Sequence, residues 1–410
     1  MTPSRQRRPR RARLVHLASA CALIGHSLVD ATPAAAERLD WRLQLESGAQ
    51  YDSNSHRRYE AEPDAGAIDP SPLLRAGARL QLNYRAAENH RVDVWAMALG
   101  TAYSAADART ENALISTADA RYQWFLPARQ LTLSARASHY DALAYSYDYA
   151  PIFDCSAAID IPRFFASHTG EVALGIRGPD EHRLRISAGL QRFRYKACSQ
   201  FHWVGERYGM HYQTTLWRGD PDEDLDAASI DIRADYQISR RGFEGELLVD
   251  VCPPDSMLAP SCLGTVGLRR ADLAHTLSAE LVYTGARIYS IRYELGAIDS
   301  NSFGRSLARQ RLELGLTTEL WRQIFLTAKA AIQLDIYPDS LLLDPNQMGV
   351  EDPTIDEQNH NSLSLHLARD LSKNWAVEGR YALYSNEFAS GGLRYRRQVV
   401  YLGAVYRYAP

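Results

Sequence analysis

From Trp375 to Tyr384 the chain reads Trp-Ala-Val-Glu-Gly-Arg-Tyr-Ala-Leu-Tyr, and from Arg397 to Tyr408 it reads Arg-Gln-Val-Val-Tyr-Leu-Gly-Ala-Val-Tyr-Arg-Tyr. Trp375, Val377, Gly379, Tyr381 and Leu383 alternate with Ala376, Glu378, Arg380, Ala382 and Tyr384. In the second run Val400, Leu402, Ala404, Tyr406 and Tyr408 alternate with Arg397, Val399, Tyr401, Gly403, Val405 and Arg407. Side chains two apart share one face of a strand. One face is therefore apolar and ends in aromatics, while the other carries charge. With Asn386 to Gly392 as a polar loop between them, the two runs make a hairpin. A greasy face toward lipid, a charged face toward water and Tyr or Trp at the boundary are the pattern of a transmembrane barrel strand.

The same alternation begins at Trp41, Leu43, Leu45, Ala49 and Tyr51 against Arg42, Gln44, Glu46, Gln50 and Asp52. It continues with Leu74 to Tyr84 against Arg75, Arg79, Gln81, Asn83 and Arg85 and, after a short connector, with Val92, Val94, Ala96 and Ala98. Further strands are predicted at 113–125, 130–142, 166–178, 183–196, 227–238, 243–252, 263–270, 275–296, 306–320, 324–337 and 360–371. With the last hairpin the total is about 16, within a range of roughly 14–18, and an even number suits a single-chain barrel. Closure pairs 394–408 with 40–52, and Leu312, Leu314, Leu316, Ile332, Leu334, Leu365 and Leu402 are predicted to face lipid.

Connector lengths carry the topology. The connections 86–90, 126–129, 179–182, 239–242, 271–274, 321–323 and 372–373 are short. Those at 53–71, 107–112, 143–165, 197–226, 253–262, 297–305, 338–359 and 386–393 are longer. Short periplasmic turns alternating with long outer loops define an up-and-down barrel with both termini on the periplasmic side. The loop openings Tyr51-Asp52-Ser53-Asn54, Asp299-Ser300-Asn301 and Tyr384-Ser385-Asn386 read as turn chemistry, not as ligand motifs.

The final strand resembles the closing strand of bacterial outer-membrane β-barrels, which ends in alternating apolar residues and a last aromatic. Here Tyr408 is followed by Ala409 and Pro410. The barrel with its early Tyr51-Asp-Ser-Asn54 is also similar to barrels of polysaccharide export and surface-lipoprotein assembly. That resemblance implies a separate periplasmic partner, and the first implies the barrel-assembly machinery and outer-membrane lipid as partners.

Residues 1–36 read as an export signal: a basic run from Arg5 to Arg13, an apolar stretch from Leu14 to Val29, and Ala34-Ala35-Ala36 before Glu37. The barrel is then 37–410. The whole chain has 46 basic and 49 acidic residues, so no strong field points to nucleic acid. Mean hydropathy is -0.34 although 46% of residues are hydrophobic, as expected when half of each strand is polar. No stretch after the signal reaches the roughly 18 apolar residues of a membrane helix. Cys155, Cys198, Cys252 and Cys262 follow the signal. An even count in an exported chain predicts disulfides; Cys252 with Cys262 and Cys155 with Cys198 are the pairings expected.

Projecting the alternation inward gives a charged lumen. Arg42, Arg75, Arg79, Arg85 and Arg121 come early; Asp231, Arg233, Asp235, Glu244, Glu246 and Asp250 form an acidic middle. Arg309, Arg311, Glu313, Glu319, Lys329, Glu378, Arg380, Arg397 and Arg407 return beside the first strands after closure. Opposed charges across a pore orient and select solutes; the alternative is that Arg–Glu pairs merely knit the wall. The run Asp220-Pro-Asp-Glu-Asp-Leu-Asp226 lacks the glycine and spacing of a calcium loop and reads as a solvated outer loop. His139, Asp141, His168, His202, His211, Ser364 and His366 have no spacing that joins nucleophile, base and orienter, so no enzyme, metal or cofactor is expected. No plug domain precedes the first strand, against a TonB-dependent receptor. The expectation is a porin-like channel for polar or anionic solutes. An export barrel with a periplasmic partner and a closed surface structural or adhesion barrel are the alternatives.

Overall fold

The structure, a computed structural model, describes residues 39–54, 70–105, 108, 112–144, 165–179, 181–195, 202–219, 228–250, 263–302, 305–336, 338, 361–387 and 394–410. The segment read as an export signal and all four cysteines lie outside these residues.

Sixteen strands form one closed antiparallel barrel. The first eight are β1 (Leu39–Asp52), β2 (Ser71–Ala87), β3 (His90–Tyr103), β4 (Ala113–Leu126), β5 (Leu131–Ala144), β6 (Phe165–Arg177), β7 (Arg183–Tyr195) and β8 (Trp203–Arg218). The rest are β9 (Ser229–Asp250), β10 (Leu263–Thr284), β11 (Arg287–Ser300), β12 (Leu307–Trp321), β13 (Ile324–Ile336), β14 (Ser362–Asp370), β15 (Trp375–Glu387) and β16 (Arg394–Tyr408). Each strand pairs with its sequence neighbours, and β1 closes on β16 from Leu43 opposite Tyr408 to Asp52 opposite Val399. Closure leaves no strand edge with unpaired backbone groups, which a bilayer would penalise.

The count is right, but four predicted strands in the middle are not. Residues 203–218, read as part of a loop, form β8. Ser239 to Gly242 is no turn, because β9 runs straight through it. Ala271 to Ala274 is no turn either, since it lies within β10. The predicted strand 275–296 is instead the end of β10, a turn at Gly285-Ala286, and β11. One missed strand and one false split cancel in the total. The acidic run, residues 220–226, lies outside the described residues.

Outward side chains are apolar and exposed, as the alternation predicted: Leu314 is 47% exposed, Ile332 64% and Leu402 64%. At the short-turn rim Trp41 packs on Tyr408 at 5.2 Å and Trp375 on Tyr406 at 5.1 Å between ring centroids, an aromatic girdle. A closed barrel with an apolar outer belt crosses a bilayer by its strands. The chain is an outer-membrane β-barrel.

Asparagines finish several strands by continuing the ladder with their side chains. Asn54 Nδ2 donates to Arg396 O at 3.3 Å, and Asn301 Nδ2 to Arg269 O at 3.2 Å. Tyr103 N donates to Asn112 Oδ1 at 2.6 Å and Gln333 N to Asn361 Oδ1 at 3.0 Å. The shared loop openings thus satisfy backbone groups where the strand partner ends.

The hairpin of β9 and β10 is longer than its neighbours. β8 stops pairing at Trp203 opposite Phe243, and β11 stops at Ser300 opposite Asp272. Beyond these points residues 246–250 pair in register with residues 263–269, past register shifts between Val266 and Ala271.

Candidate functional site

The inward faces line a lumen whose charged side chains remain open to water. Side chains of Arg136, Arg233 and Glu313 are 46%, 38% and 40% exposed, although they belong to the inward set. Their burial alternates with that of outward neighbours along each strand. Three sectors follow around the wall.

The first spans the seam. Glu46 on β1 accepts from Arg75 Nε of β2 at 3.0 Å and from Arg380 Nη2 of β15 at 3.1 Å. Arg380 also donates to Glu378 at 2.6 Å, and His366 Nε2 lies 3.1 Å from the same carboxylate. The ring of Tyr401 lies between the two guanidiniums, 5.4 Å from Arg75 and 5.1 Å from Arg380. It fits because Gly48 and Gly403 lie beneath it; a Cβ at Gly48 would stand 2.7 Å from Tyr401 Cε2. At the outer rim Arg397 grips Asp52 with Nε at 3.0 Å and Nη2 at 2.5 Å, and Tyr103 Oη donates to Asp52 at 3.0 Å. At the inner rim Arg407 donates to Asp370 at 2.6 Å, and Arg42 lies 3.7 Å from Asp40. Among the described residues the hydrogen-bond partner of Arg79 is the sulfur of Met97, at 3.9 Å. Asp52 and Asp370 thus serve as counter-charges of this wall beside Glu46 and Glu378.

The second sector is mixed. Asp231 accepts from Thr215 Oγ1 at 2.7 Å, and Asp235 lies 2.5 Å from His211 Nδ1. Arg233 meets Glu280 at 3.3 Å, Arg311 meets Glu313 at 2.6 Å, and Arg309 grips Asp335 at 2.8 and 2.9 Å. Glu244 and Glu246, expected in the lumen, do not line it: they stand on the overhanging part of β9 in the phase opposite to the inward Phe243. Glu244 lies 3.2 Å from His202 Nδ1, and Glu246 pairs in register with Arg269.

The third sector, β4 to β8, is basic. Its rows are set by register: Asp93 opposite Arg121, Arg121 opposite Arg136, Arg136 opposite Glu171, Glu171 opposite Gly189, and Gly189 opposite Arg207. Arg136 donates to Asp119 at 2.6 Å, and Arg185 is bonded to Glu171. Arg121 and Arg207 have neither hydrogen-bond nor ion partner among the described residues, and Arg121 Nε is buried without one. Gly189 puts no side chain between Glu171 and Arg207, so this half-buried guanidinium feels the Glu171 carboxylate across the gap without a direct ion pair to it. Of this set only Arg121 stood out in the sequence. Arg207 lies on the strand that was missed, and Arg136 and Arg185 could have been found by carrying the alternation through β5 and β7.

Above this wall an inward aromatic row crosses five strands. Tyr140, Phe165 and Phe193 stack at 4.8 Å spacing, Phe193 on Trp203 at 5.7 Å, and Trp203 on Phe243 at 6.3 Å. Arg270, clamped on Asp272 at 3.0 and 2.6 Å, caps Phe243 at 4.1 Å. Phe193, Trp203 and Phe243 are buried, Phe243 only 2% exposed.

The histidines do not converge. His139 and His168 face lipid, whereas His211 and His366 sit on separate inward walls with Asp235 and Glu378. No cluster of metal-ligating side chains occurs among the described residues.

No family model and no curated protein matches the chain. Among solved structures it is similar to Acinetobacter baumannii OccAB3, with 11% identity, TM-score 0.45, 91% of this chain covered and 99% of that one. It is similar to OmpT, an outer membrane protein of Vibrio cholerae, at 9% identity and TM-score 0.41, covering 90% and 99%. A bacterial polysaccharide outer membrane secretin follows at 8% identity and TM-score 0.41, covering 89% and 98%. Superpositions this loose bear on neither solute nor mechanism.

Proposed function

We propose that the barrel is a diffusion channel whose lumen favours anionic solutes. The observation that carries this reading is the pair of partnerless guanidiniums, Arg121 and Arg207, on a water-accessible inner wall. An arginine stays charged at any physiological pH, so a wall with spare guanidiniums attracts anions and repels cations. The seam carries many arginines, but Arg75, Arg380, Arg397 and Arg407 are matched by carboxylates there. The selecting wall is therefore β4 to β8 rather than the track of Arg42, Arg75, Arg79, Arg397 and Arg407. The chain's overall excess of acid does not oppose this, because water screens distant charges within about 10 Å at 0.1 M salt.

Planar-bilayer recordings test it. Under a salt gradient the reversal potential of the purified barrel should lie on the anion side. It should move toward zero in Arg121→Gln/Arg207→Gln and stay put in Arg407→Gln/Asp370→Asn, which removes both partners of a matched pair and leaves the net charge of the lumen unchanged. A barrel that inserts and passes no current would favour the closed surface barrel. Current without ion preference, together with release of a polymer, would favour the export barrel working with a periplasmic partner.

A further inference from the structure

The lipid-facing surface above β3 to β8 is not uniformly apolar. A groove of about 670 Å³ crosses it. Its floor is one rung of the barrel ladder, with Val94 opposite Ala120, Ala120 opposite Ala137, Ala137 opposite Gly170, and Gly170 opposite Leu190. Small side chains in the middle of that rung make the depression. The next rung toward the long-loop rim is different in kind. It sets His139 opposite His168 and His168 opposite Arg192, with Arg194 two residues further out on the same face. His139 Nδ1 and His168 Nδ1 are 3.2 Å apart, so one ring donates to the other. Arg192 and Arg194 are exposed and have no ion or hydrogen-bond partner among the described residues. The acid one rung lower, Glu206, accepts from Tyr208 Oη at 3.3 Å instead.

Two unmatched guanidiniums at the membrane boundary need an anion, because hydrocarbon supplies none. Their place at the outer end of the strands puts them at the headgroup level of the outer leaflet. An Arg fork fits a phosphate with two parallel hydrogen bonds. A hydrocarbon-wide groove starts directly beneath. We propose that this groove holds a phosphorylated glycolipid of the lipid A type. Its phosphate rests on Arg192 and Arg194, beside the His139–His168 pair, and one acyl chain lies along Ala120, Ala137 and Gly170. A second copy of the barrel fits less well, since an apolar belt pressed on this patch would leave both guanidiniums unpaired and dry. The inference does not depend on whether the lumen conducts.

Native mass spectrometry of the full chain, folded in detergent and titrated with diphosphoryl lipid A, tests it. One lipid should be retained per barrel. Arg192→Gln/Arg194→Gln should weaken retention by about ten-fold or more, the scale of losing charge-assisted bonds. Gly170→Leu should weaken it too, and without straining the fold, because a Cβ there meets nothing within 4 Å. Lipid A stripped of phosphate should bind wild type no better than the double variant binds the intact lipid. Equal retention by wild type and both variants would overturn the proposal, as would indifference to phosphate. Oligomers that both variants dissolve, with no lipid retained, would assign the groove to a second copy.

Discussion

The seam and the β4–β8 wall use the same residue to opposite ends. At the seam Arg75, Arg380, Arg397 and Arg407 face Glu46, Glu378, Asp52 and Asp370. On the wall Arg121, Arg136, Arg185 and Arg207 have Asp93, Asp119 and Glu171 beside them, and only two of the four make an ion pair with these among the described residues. Arginine number is alike, but fewer arginines are matched. The field inside a barrel is set by what is left after pairing, and pairing is decided by register. At the seam the surplus is spent on closure. Glu46 on β1 ties β2 to β15 across β16, and Asp52 on β1 holds Arg397 of β16. These contacts join residues more than three hundred positions apart in the chain.

The largest effect that separates the two regions is on stability. Asp52 is 0% exposed and Arg397 is 9% exposed, so Asp52→Ala would strand a buried guanidinium. Breaking such a pair costs about 3–5 kcal/mol, read as a lower urea midpoint of the barrel folded in lipid vesicles. Arg121→Gln on the other wall should leave that midpoint at or above wild type, because it removes a cation that has no partner. If both variants lose stability alike, the distinction between a locking seam and a selecting wall fails.

Next in size is the inside–outside contrast on which both regions depend. Leu314→Arg puts a charge on the lipid face and should cost about 2–4 kcal/mol near the midplane. Glu313→Arg, one residue away in the watered lumen, should cost less when measured by the same vesicle titration. The reverse order would mean that every strand had been placed with its faces exchanged.

Much of this was legible in the sequence, and the failures have a common cause. Alternation gave both faces of β1, β2 and β11 to β16, because their outward residues are uniformly apolar. It could not see the turn at Gly285-Ala286, since a two-residue turn preserves the period of two and Leu281, Tyr283, Tyr289 and Ile291 stay in phase across it. At Ser239 to Gly242 the reverse happened. Polar residues and a glycine imitate a turn, yet Asp235, Gln237, Ser239 and Arg241 keep one phase. In β8 the contrast is blunted, because Glu206 and Thr214 face out while Gly205 and Gly209 face in. The site was harder still. Which carboxylate answers which arginine depends on the register between strands, and no strand states its neighbour's register. Asp370 ends a strand of its own and was not matched to Arg407 for that reason.

The smallest effect lies at the inner rim, where an exposed pair contrasts with the buried one at Asp52. Glu181, in the short turn between β6 and β7, accepts from Thr215 Oγ1 at 3.0 Å and from Arg218 Nη2 at 2.7 Å. Thr215 has one hydroxyl hydrogen and also lies 2.7 Å from Asp231 Oδ1, so it serves the two carboxylates in turn. The Thr215 hydroxyl first, and then Arg218, hold the Glu181 carboxyl below its ordinary value of 4.5. A carboxyl depressed on folding adds stability above its unfolded pKa, and that stability is lost as pH falls through the folded value. Glu181→Gln should therefore unfold slightly more easily than wild type at about pH 7, and the two should converge in acid below the unfolded value of 4.5. Because the group is fully exposed, added salt should shrink even the neutral-pH difference. Asp52→Ala should barely respond to salt, since its partner is out of reach of mobile ions. Urea midpoints of both variants across pH and salt check this; a gap for Glu181→Gln that widens in acid would show that the turn is not held by a charged carboxylate.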